Sequence, residues 1–459
     1  MNRHDNFSKF LKLREEYHFL SYDTYQYHFT GNSLEISFSF SLSGKYFFNP
    51  QISIPYKTDL FRPFDNLSSV ELNNLVFHIG MIELISYWKA ACPPSVIIRP
   101  HSLTDLQVKF WKKVYFHGLG EFFYMNSIGI NEDNFMEISF SGENHVKPFT
   151  FVSAAGCLIP VGGGKDSAVT MGLFNKMNEN WIPFVINPRN TTRDVIHAAG
   201  KTEALTVALY RSVHSQLLIL NKEGFLNGHT PFSAMLAFYS LLAAYLTGRP
   251  QIVLSNESSA NEVTVPGTSI NHQYSKSLDF EQDFRDYTRL NISEGFNYFS
   301  FLRPLSELQI AKLFSQMPEF LTHFKSCNVG SKTDKWCGSC PKCLFTFIIL
   351  SPFLKPATLV GIFGKNLLDD ASLENTFEQL TGKQEIKPFE CIGTVDEVNI
   401  AMDLAVKMYR KDELPYLIRM HRKNDLTDKS GEFTTDLSVG NQDHFVPEKY
   451  LTLLEKSLR

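Results

Sequence analysis

Residues 158–167 read Leu-Ile-Pro-Val-Gly-Gly-Gly-Lys-Asp-Ser, and the reading of that stretch decides the fold. An apolar run, Leu158 to Val161, enters three glycines and leaves through Lys165, Asp166 and Ser167 into a helix-like segment, Ala168 to Met177. A strand that turns through glycines into a helix start gathers unpaired backbone N–H groups at the positive end of a helix dipole. That is an anion site, above all for phosphate. Gly162, Gly163 and Gly164 lack Cβ atoms, so the backbone can take φ > 0 and approach a pyrophosphate closely. Asp166 or Ser167 is expected to cap the helix. The alternative is an ordinary glycine turn before a capped helix.

Outward from the loop, apolar strands alternate with helices. The expected strands are Cys157–Val161, Trp181–Asn187, Gln216–Leu220, Gln251–Ser255 and Phe296–Phe301, and the expected helices Ser167–Met177, Phe232–Leu246 and Ser306–Gln316. Such alternation predicts an α/β fold: a parallel sheet with flanking helices, whose ligands sit beyond the carboxyl ends of the strands. Upstream, Leu34, Ile36, Phe38, Phe40 and Leu42 alternate with polar residues, the period of a half-buried strand. Tyr46–Pro55 extends it, Val70–Ala91 and Leu103–Phe116 read as helices, and Val96–Ile98 and Phe135–Phe140 as strands. The expected units are an N-terminal α+β module (1–150), a phosphate-loop domain with a cysteine cluster (151–360) and a mainly helical C-terminal region (361–459). The last contains a charged stretch, Arg410 to Lys429, and a polar run to His444.

The composition narrows the function classes. With 459 residues, 43% hydrophobic and 20% charged, the chain is globular and long enough for two or three domains. A net charge of −4 argues against a nucleic-acid partner, and the forty phenylalanines read as core. The polar N-terminus shows no secretory signal, and the longest apolar stretch, Pro231 to Leu246, falls short of the roughly 20 residues that span a bilayer. Seven cysteines without such a signal fit a reducing cytoplasm.

Cys327 is followed by Cys337-Gly-Ser-Cys340-Pro-Lys-Cys343. Paired Cys-x-x-Cys turns can give four thiolates to one structural zinc; an iron–sulfur cluster and free thiols are the competing readings. Gly338 permits the tight turn, and Pro341 suits the first turn of the helix after it. After the strand ending at Leu254 comes a polar belt, Ser255 to Glu262, in which Glu257 and Asn261 could hold substrate or a magnesium-bound nucleotide. A second belt, Asn271 to Lys276, is rich in donors and acceptors.

The glycine loop is neither a Walker A motif nor a Rossmann Gly-x-Gly-x-x-Gly. It resembles the PP-loop, Ser-Gly-Gly-x-Asp-Ser, of the ATP pyrophosphatases, with Gly162 in place of the serine. That loses one hydroxyl donor and keeps the backbone nest. The loop followed by four cysteines is also similar to 7-cyano-7-deazaguanine synthase. The segments Pro160–Ser167, Asn256–Lys276, Phe301–Leu308, Trp336–Phe345 and Lys387–Thr394, with Ile85–Ala91 and Gly118–Asn126, resemble the MurL family. That family is one of epimerases acting on UDP-N-acetyl-α-D-muramoyl-L-alanyl-L-glutamate in peptidoglycan precursor synthesis.

The resemblance implies ATP-dependent inversion of the terminal glutamate through an adenylated carboxylate, with release of AMP and pyrophosphate. Gly162 to Ser167 would hold the phosphates, Lys165 would neutralise charge at the α-phosphate, and Asp166 would ligate Mg²⁺. His272, Lys276 and Cys391 have chemistry suited to acid/base work. The implied substrate is a UDP-sugar dipeptide, with no nucleic acid or membrane partner. A nucleotide- or tRNA-modifying enzyme and a non-catalytic ATP- or zinc-binding module stay open as alternatives.

Overall fold

The computed structural model describes residues 3–153, 155–265, 267–424 and 440–459. The described strands are β1 (Phe19–Phe29), β2 (Ser33–Leu42), β3 (Tyr46–Phe48), β4 (Gln51–Pro55), β5 (Ser95–Ile98), β6 (Glu137–Phe140), β7 (Cys157–Pro160), β8 (Trp181–Ile186), β9 (Val207–Ser212), β10 (Gln251–Leu254) and β11 (Asn297–Ser300). They form one sheet in the order β11-β10-β7-β8-β9-β4-β2-β1-β5-β6, with β3 on β2. The five strands from β11 to β9 are parallel. An antiparallel pairing of β9 with β4 joins them to the N-terminal strands, so residues before 150 and after 151 share one sheet. β7 lies between β8 and β10, where the strand order reverses. Such switch points open a crevice at the strands' carboxyl ends, and the glycine loop leaves β7 there.

Side-chain alternation sorts the sheet into two cores. On β2, Leu34, Ile36, Phe38, Phe40 and Leu42 face inward as their period requires. The parallel strands are buried on both faces. Leu158, Ile182, Phe184 and Ile252 join the core under helices Ser69–Trp88 and Phe232–Thr247. Ile159, Val185 and Val253 join the core under helices Lys165–Lys176, Glu307–Ser315 and Pro341–Leu350.

The expected strand Gln216–Leu220 is a helix, Ser215–Lys222. Leu217 and Leu220 are buried, while Leu218 and Ile219 are 53% and 45% exposed, a helical spacing that a short apolar run conceals. The third parallel strand is β9, where only Val207 and Leu209 mark the inward face. β1 was also missed: a register shift between Tyr22 and Thr24 interrupts its period of two.

Among the described residues after Phe363 every element is helical. The last helix, Glu448–Leu458, lies beyond the residues of the polar run and packs back on the second core. There the Tyr450 ring sits 5.0 Å from Phe174 and its hydroxyl 3.1 Å from Cys157 Sγ. Residues 425–439, within the charged stretch and the polar run, lie outside the described residues. No described helix is long and apolar enough to cross a membrane.

Candidate functional site

The helix after the glycines begins at Lys165 with Gly164 as its N-cap and no side-chain cap. The expected caps are corrected here. Asp166 and Ser167 are already inside the first turn, and Ser167 Oγ donates to Gly164 O at 3.0 Å. The first-turn N–H groups therefore keep their capacity for an anion. Gly163 takes φ +88°, the left-handed region, and a Cβ there would meet Thr191 Cγ2 at 3.1 Å. Beside Gly162 there is open space. The bare loop and uncapped helix fit a polyphosphate.

Lys165 does not point into that space. It is buried, and its Nζ donates to Asp166 and to Glu307, which lies on helix Glu307–Ser315. Burial works to lower its pKa, but the two carboxylates outweigh that and raise it, so the ammonium stays charged. Glu307 N–H donates to Glu397 Oε1 at 2.6 Å, and Glu397 Oε2 accepts from Thr394 N–H at 2.8 Å. Burial works to raise Glu307 against the pull of Lys165, with Asp166, Glu257 and Glu397 adding repulsion. Burial also raises Glu397. Asp166, Glu257 and Glu397 thus all bear on the charge of Glu307 beside the loop. Glu307 and Glu397 escaped the sequence reading. Ser306-x-x-Gln309 and Thr394-x-x-Glu397 are capping boxes, which account for these stretches as helix starts.

The polar belts fold against this loop. Buried Arg303 ties them together, donating to Glu257 O at 2.6 Å and to Lys276 O. Glu257 is buried, whereas Asn261 is exposed and accepts Leu278 N–H at 2.8 Å. Three expected acid/base residues meet. Lys276 Nζ lies 3.2 Å from Cys391 Sγ, and His272 is near enough for its charge and that of Cys391 to stabilise each other. His272 Nδ1 donates to Glu121 Oε2 at 2.6 Å, and His229 Nδ1 lies 3.0 Å from the same oxygen.

The charges in this cluster are set by the neighbours. Burial alone would raise the Cys391 thiol, but Lys276, Lys342 and His272 hold it well below its usual range, as a thiolate. Burial would lower His272, but Cys391 and Glu121 raise it to about 9. Lys276 is also raised, by Cys391 and Glu257 with a contribution from Asp166, which links the cluster to the glycine loop. Burial lowers His229 to about 4, so it is neutral. Cys391 is held between two anchors: Lys387 Nζ donates to Glu262 and to Gly393 O, and Thr394 caps helix Val395–Ala405. Glu121 and His229 were missed. Glu121 lies in the first turn of the six-residue helix Gly120–Met125, inside the module whose role the sequence pattern leaves open.

Among the described residues, two groups bring metal-capable atoms within 4.8 Å of one another. Glu121, His229 and His272 spend theirs on one another, both rings bonding one carboxylate oxygen. Among the sulfurs of Cys327, Cys337, Cys340 and Cys343, the pairs 327–340, 337–343 and 340–343 stand 3.5–3.7 Å apart, and all four lie within 4.8 Å of one another. A tetrahedron with metal–sulfur bonds of about 2.3 Å has edges of about 3.8 Å, so this cluster could hold a metal ion. Gly330 N–H donates to Cys327 Sγ at 3.1 Å, a partner suited to a charged sulfur. Gly338, at φ +66°, makes the turn between Cys337 and Cys340, and Pro341 opens the helix after them. Beside both sites lies a cavity of about 600 Å³ lined by Tyr124, Cys340, Lys387, Phe389 and Glu390. The Phe389 ring sits 5.2 Å from Tyr124 and 6.2 Å from His272.

Comparison with known proteins gives one answer. The family model of the MurL N-terminal domain matches residues 12–301, and that of the MurL C-terminal domain matches 323–432. Three relatives carry the name UDP-N-acetyl-alpha-D-muramoyl-L-alanyl-L-glutamate epimerase. The protein of Xanthomonas oryzae pv. oryzae is 34% identical over 358 residues, covering 74% of this chain and 78% of its own. That of a Micromonospora species is 30% identical over 434 residues, 93% and 95% of the two chains. That of Salinispora tropica is 34% identical over 334 residues, 71% and 72%.

Proposed function

The chain belongs to the MurL family, and from that premise we propose that it inverts the terminal L-glutamate of UDP-MurNAc-L-Ala-L-Glu to D-glutamate at the expense of ATP, in the cytoplasm, during peptidoglycan precursor synthesis. The α-proton beside an ionised carboxylate is a poor acid, because its removal places negative charge beside negative charge. Adenylation turns that carboxylate into an acyl phosphate anhydride and makes the α-carbon acidic.

ATP supplies the adenylyl group when bound at the glycine loop. Gly162 to Ser167 offer N–H groups to its phosphates, and Lys165 and the carboxylates Asp166, Glu257 and Glu307 set the charge around Mg²⁺. Asn261 would contribute to this nucleotide site from the end of its short helix. His272, Lys276 and Cys391 move protons at the substrate's glutamate, and the cavity beside Phe389 receives the remainder of the substrate. Structural zinc at the four cysteines holds the base of helix Pro341–Leu350 and therefore the wall of that cavity.

The observation that carries this reading is the juxtaposition of two chemistries. Lys276 contacts Cys391, Arg303 donates to both Lys276 O and Glu257 O, and Ser255 bonds Thr170 on the helix after the glycine loop, so proton transfer and nucleotide chemistry are brought towards one carboxyl group. The test is incubation with UDP-MurNAc-L-Ala-L-Glu, ATP and Mg²⁺, followed by chiral analysis of the glutamate and identification of the nucleotide product. AMP, pyrophosphate and D-glutamate are expected. ADP rules out adenylation, and AMP without inversion moves the chain to the nucleotide-modifying class.

A further inference from the structure

The residues Glu121, His272, Cys391 and Lys276 form a relay with more in it than acid/base work requires. A carboxylate holds an imidazole, a lysine ammonium sits 3.2 Å from the Cys391 sulfur, and the two cations together stabilise the thiolate. Nucleophile, base and orienting group within hydrogen-bond reach is the arrangement by which side chains attack acyl groups. Cys391 is half-buried, anchored on both sides by Lys387 and Thr394, and next in sequence to Glu390 and Phe389 of the cavity wall.

We propose that Cys391 is a covalent nucleophile, taking the activated glutamyl group from AMP to form a thioester on which the α-carbon is inverted. This rests on the adenylation reading above. The Cys391 sulfur donates its electron pair to the carbonyl carbon of the acyl adenylate. The bond from that carbon to the phosphate oxygen breaks, its pair stays on oxygen, and AMP leaves without needing a proton. Sulfur donates to a carbonyl less than oxygen does, so the α-proton of the thioester is acidic. His272, once neutral, takes the α-proton from one face of the thioester and the Lys276 ammonium returns one to the other face, the two groups resetting through solvent. Water then adds its oxygen to the carbonyl, sulfur departs with the C–S pair as thiolate, and two protons pass to solvent.

The same step explains why two cations crowd one sulfur. While Cys391 is a thiolate, it is a leading cause of the charge on both His272 and Lys276. Acylation removes that anion. His272 then keeps only Glu121 to hold its proton, against burial that favours the neutral ring. The imidazole is thereby released as a base at the moment when an acidic α-proton is next to it. Glu121 acts here as a positioning residue, aiming Nε2 through its hold on Nδ1, and neutral His229 fixes that carboxylate from its other side.

Single-turnover incubation of the zinc-loaded protein with radiolabelled UDP-MurNAc-L-Ala-L-Glu, ATP and Mg²⁺, quenched in acid, tests the covalent step. Label is expected on the peptide containing Cys391, released by neutral hydroxylamine, and absent when ATP is omitted. Exchange of labelled pyrophosphate into ATP is measured in parallel, because it reads adenylation alone. In Cys391→Ala, exchange is expected to persist while inversion falls at least 10³-fold. Cys391→Ala with both exchange and inversion overturns the proposal. So does wild-type turnover that yields D-glutamate with no label on Cys391, which reduces the thiolate to a base. Wild-type protein without exchange fails the adenylation reading and this inference together. In Glu121→Gln, alkylation at Cys391, followed by peptide mapping, is expected to lose its low-pH reactivity, a readout that a merely structural role would leave in place.

Discussion

The chain uses cysteine in two opposite ways within one corner of the fold. Cys327, Cys337, Cys340 and Cys343 face one another, each sulfur within 3.5–3.7 Å of at least one other. Cys391 faces Lys276 and His272 instead. Cys340 and Glu390, the neighbour of Cys391, line the same cavity. Four thiols whose negative charges would repel are a demand for a cation. One thiol with its cations already present is a reactive group that needs no metal. The partner, more than the burial, decides what a buried cysteine does.

The largest effect should come from emptying the sulfur cluster. Cys340→Ser, or a strong chelator, should release about one zinc per chain together with on the order of 10 kcal/mol of metal-linked folding free energy. Thermal unfolding with and without chelator, alongside elemental analysis, reads both. Iron with sulfide, or full stability in the metal-free protein, would break the contrast from the cluster side. From the other side, brief iodoacetamide treatment of the zinc-loaded protein near neutral pH should modify Cys391 first. Turnover should then fall by about 10³-fold, the scale of a lost catalytic group, with little change in unfolding. Preferential modification of the cluster would reverse the assignment.

The glycine loop offers a second buried cation to compare. Asp166→Asn should abolish turnover in a folded protein, because it weakens only one of the two carboxylates on Lys165. Lys165→Ala removes the cation from under both Asp166 and Glu307, and should cost about 3–5 kcal/mol of stability as well as activity. Equal denaturation midpoints for the two variants would show that Glu307 is protonated when Lys165 is gone.

The proton on His272 gives the relay a pH signature. Its folded-state value, about 9, lies above the ordinary 6.5, so the stability from its charge is complete below 6.5 and is lost as pH rises through 9. The alkaline limb of kcat/KM should fall in the same window. Glu121 is one cause of that raised value, so Glu121→Gln should move the limb to lower pH. A limb that stays in place would detach Glu121 from the relay.

What the sequence made legible follows from distance along the chain. The glycine loop and the Cys-x-x-Cys turns are short contiguous stretches, and local geometry fixes both. The parallel strands were legible where apolar runs are buried on both faces, and failed at β9, where only Val207 and Leu209 mark the inward face. The relay was half legible. His272, Lys276 and Cys391 stood out by chemical type, but nothing local says that they touch. Glu121 reaches His272 across the N-terminal region, 151 positions away in sequence. Lys165 was read as facing a phosphate because the Glu307 that turns it inward arrives on a helix 142 positions later.

Cys157 supplies the control in which a buried thiol has no companion sulfurs and its cations, Lys449 and Arg249, do not outweigh burial. Burial raises its pKa, and its hydrogen-bond partner is the Tyr450 hydroxyl at 3.1 Å. It should therefore resist iodoacetamide under the conditions that modify Cys391. Tyr450→Phe removes the hydroxyl and keeps the ring that packs on Phe174 and Phe299. Sulfur is a weak hydrogen-bond partner, so the cost should be no more than about 1 kcal/mol, with turnover unchanged. The variant should also leave Cys157 unreactive, because the apolar surroundings rather than the hydroxyl keep the proton on sulfur. Ready alkylation of Cys157 in Tyr450→Phe would mean that access, not the weakness of its cations against burial, protects it, and the difference between Cys391 and the other thiols would then have to be rebuilt on exposure.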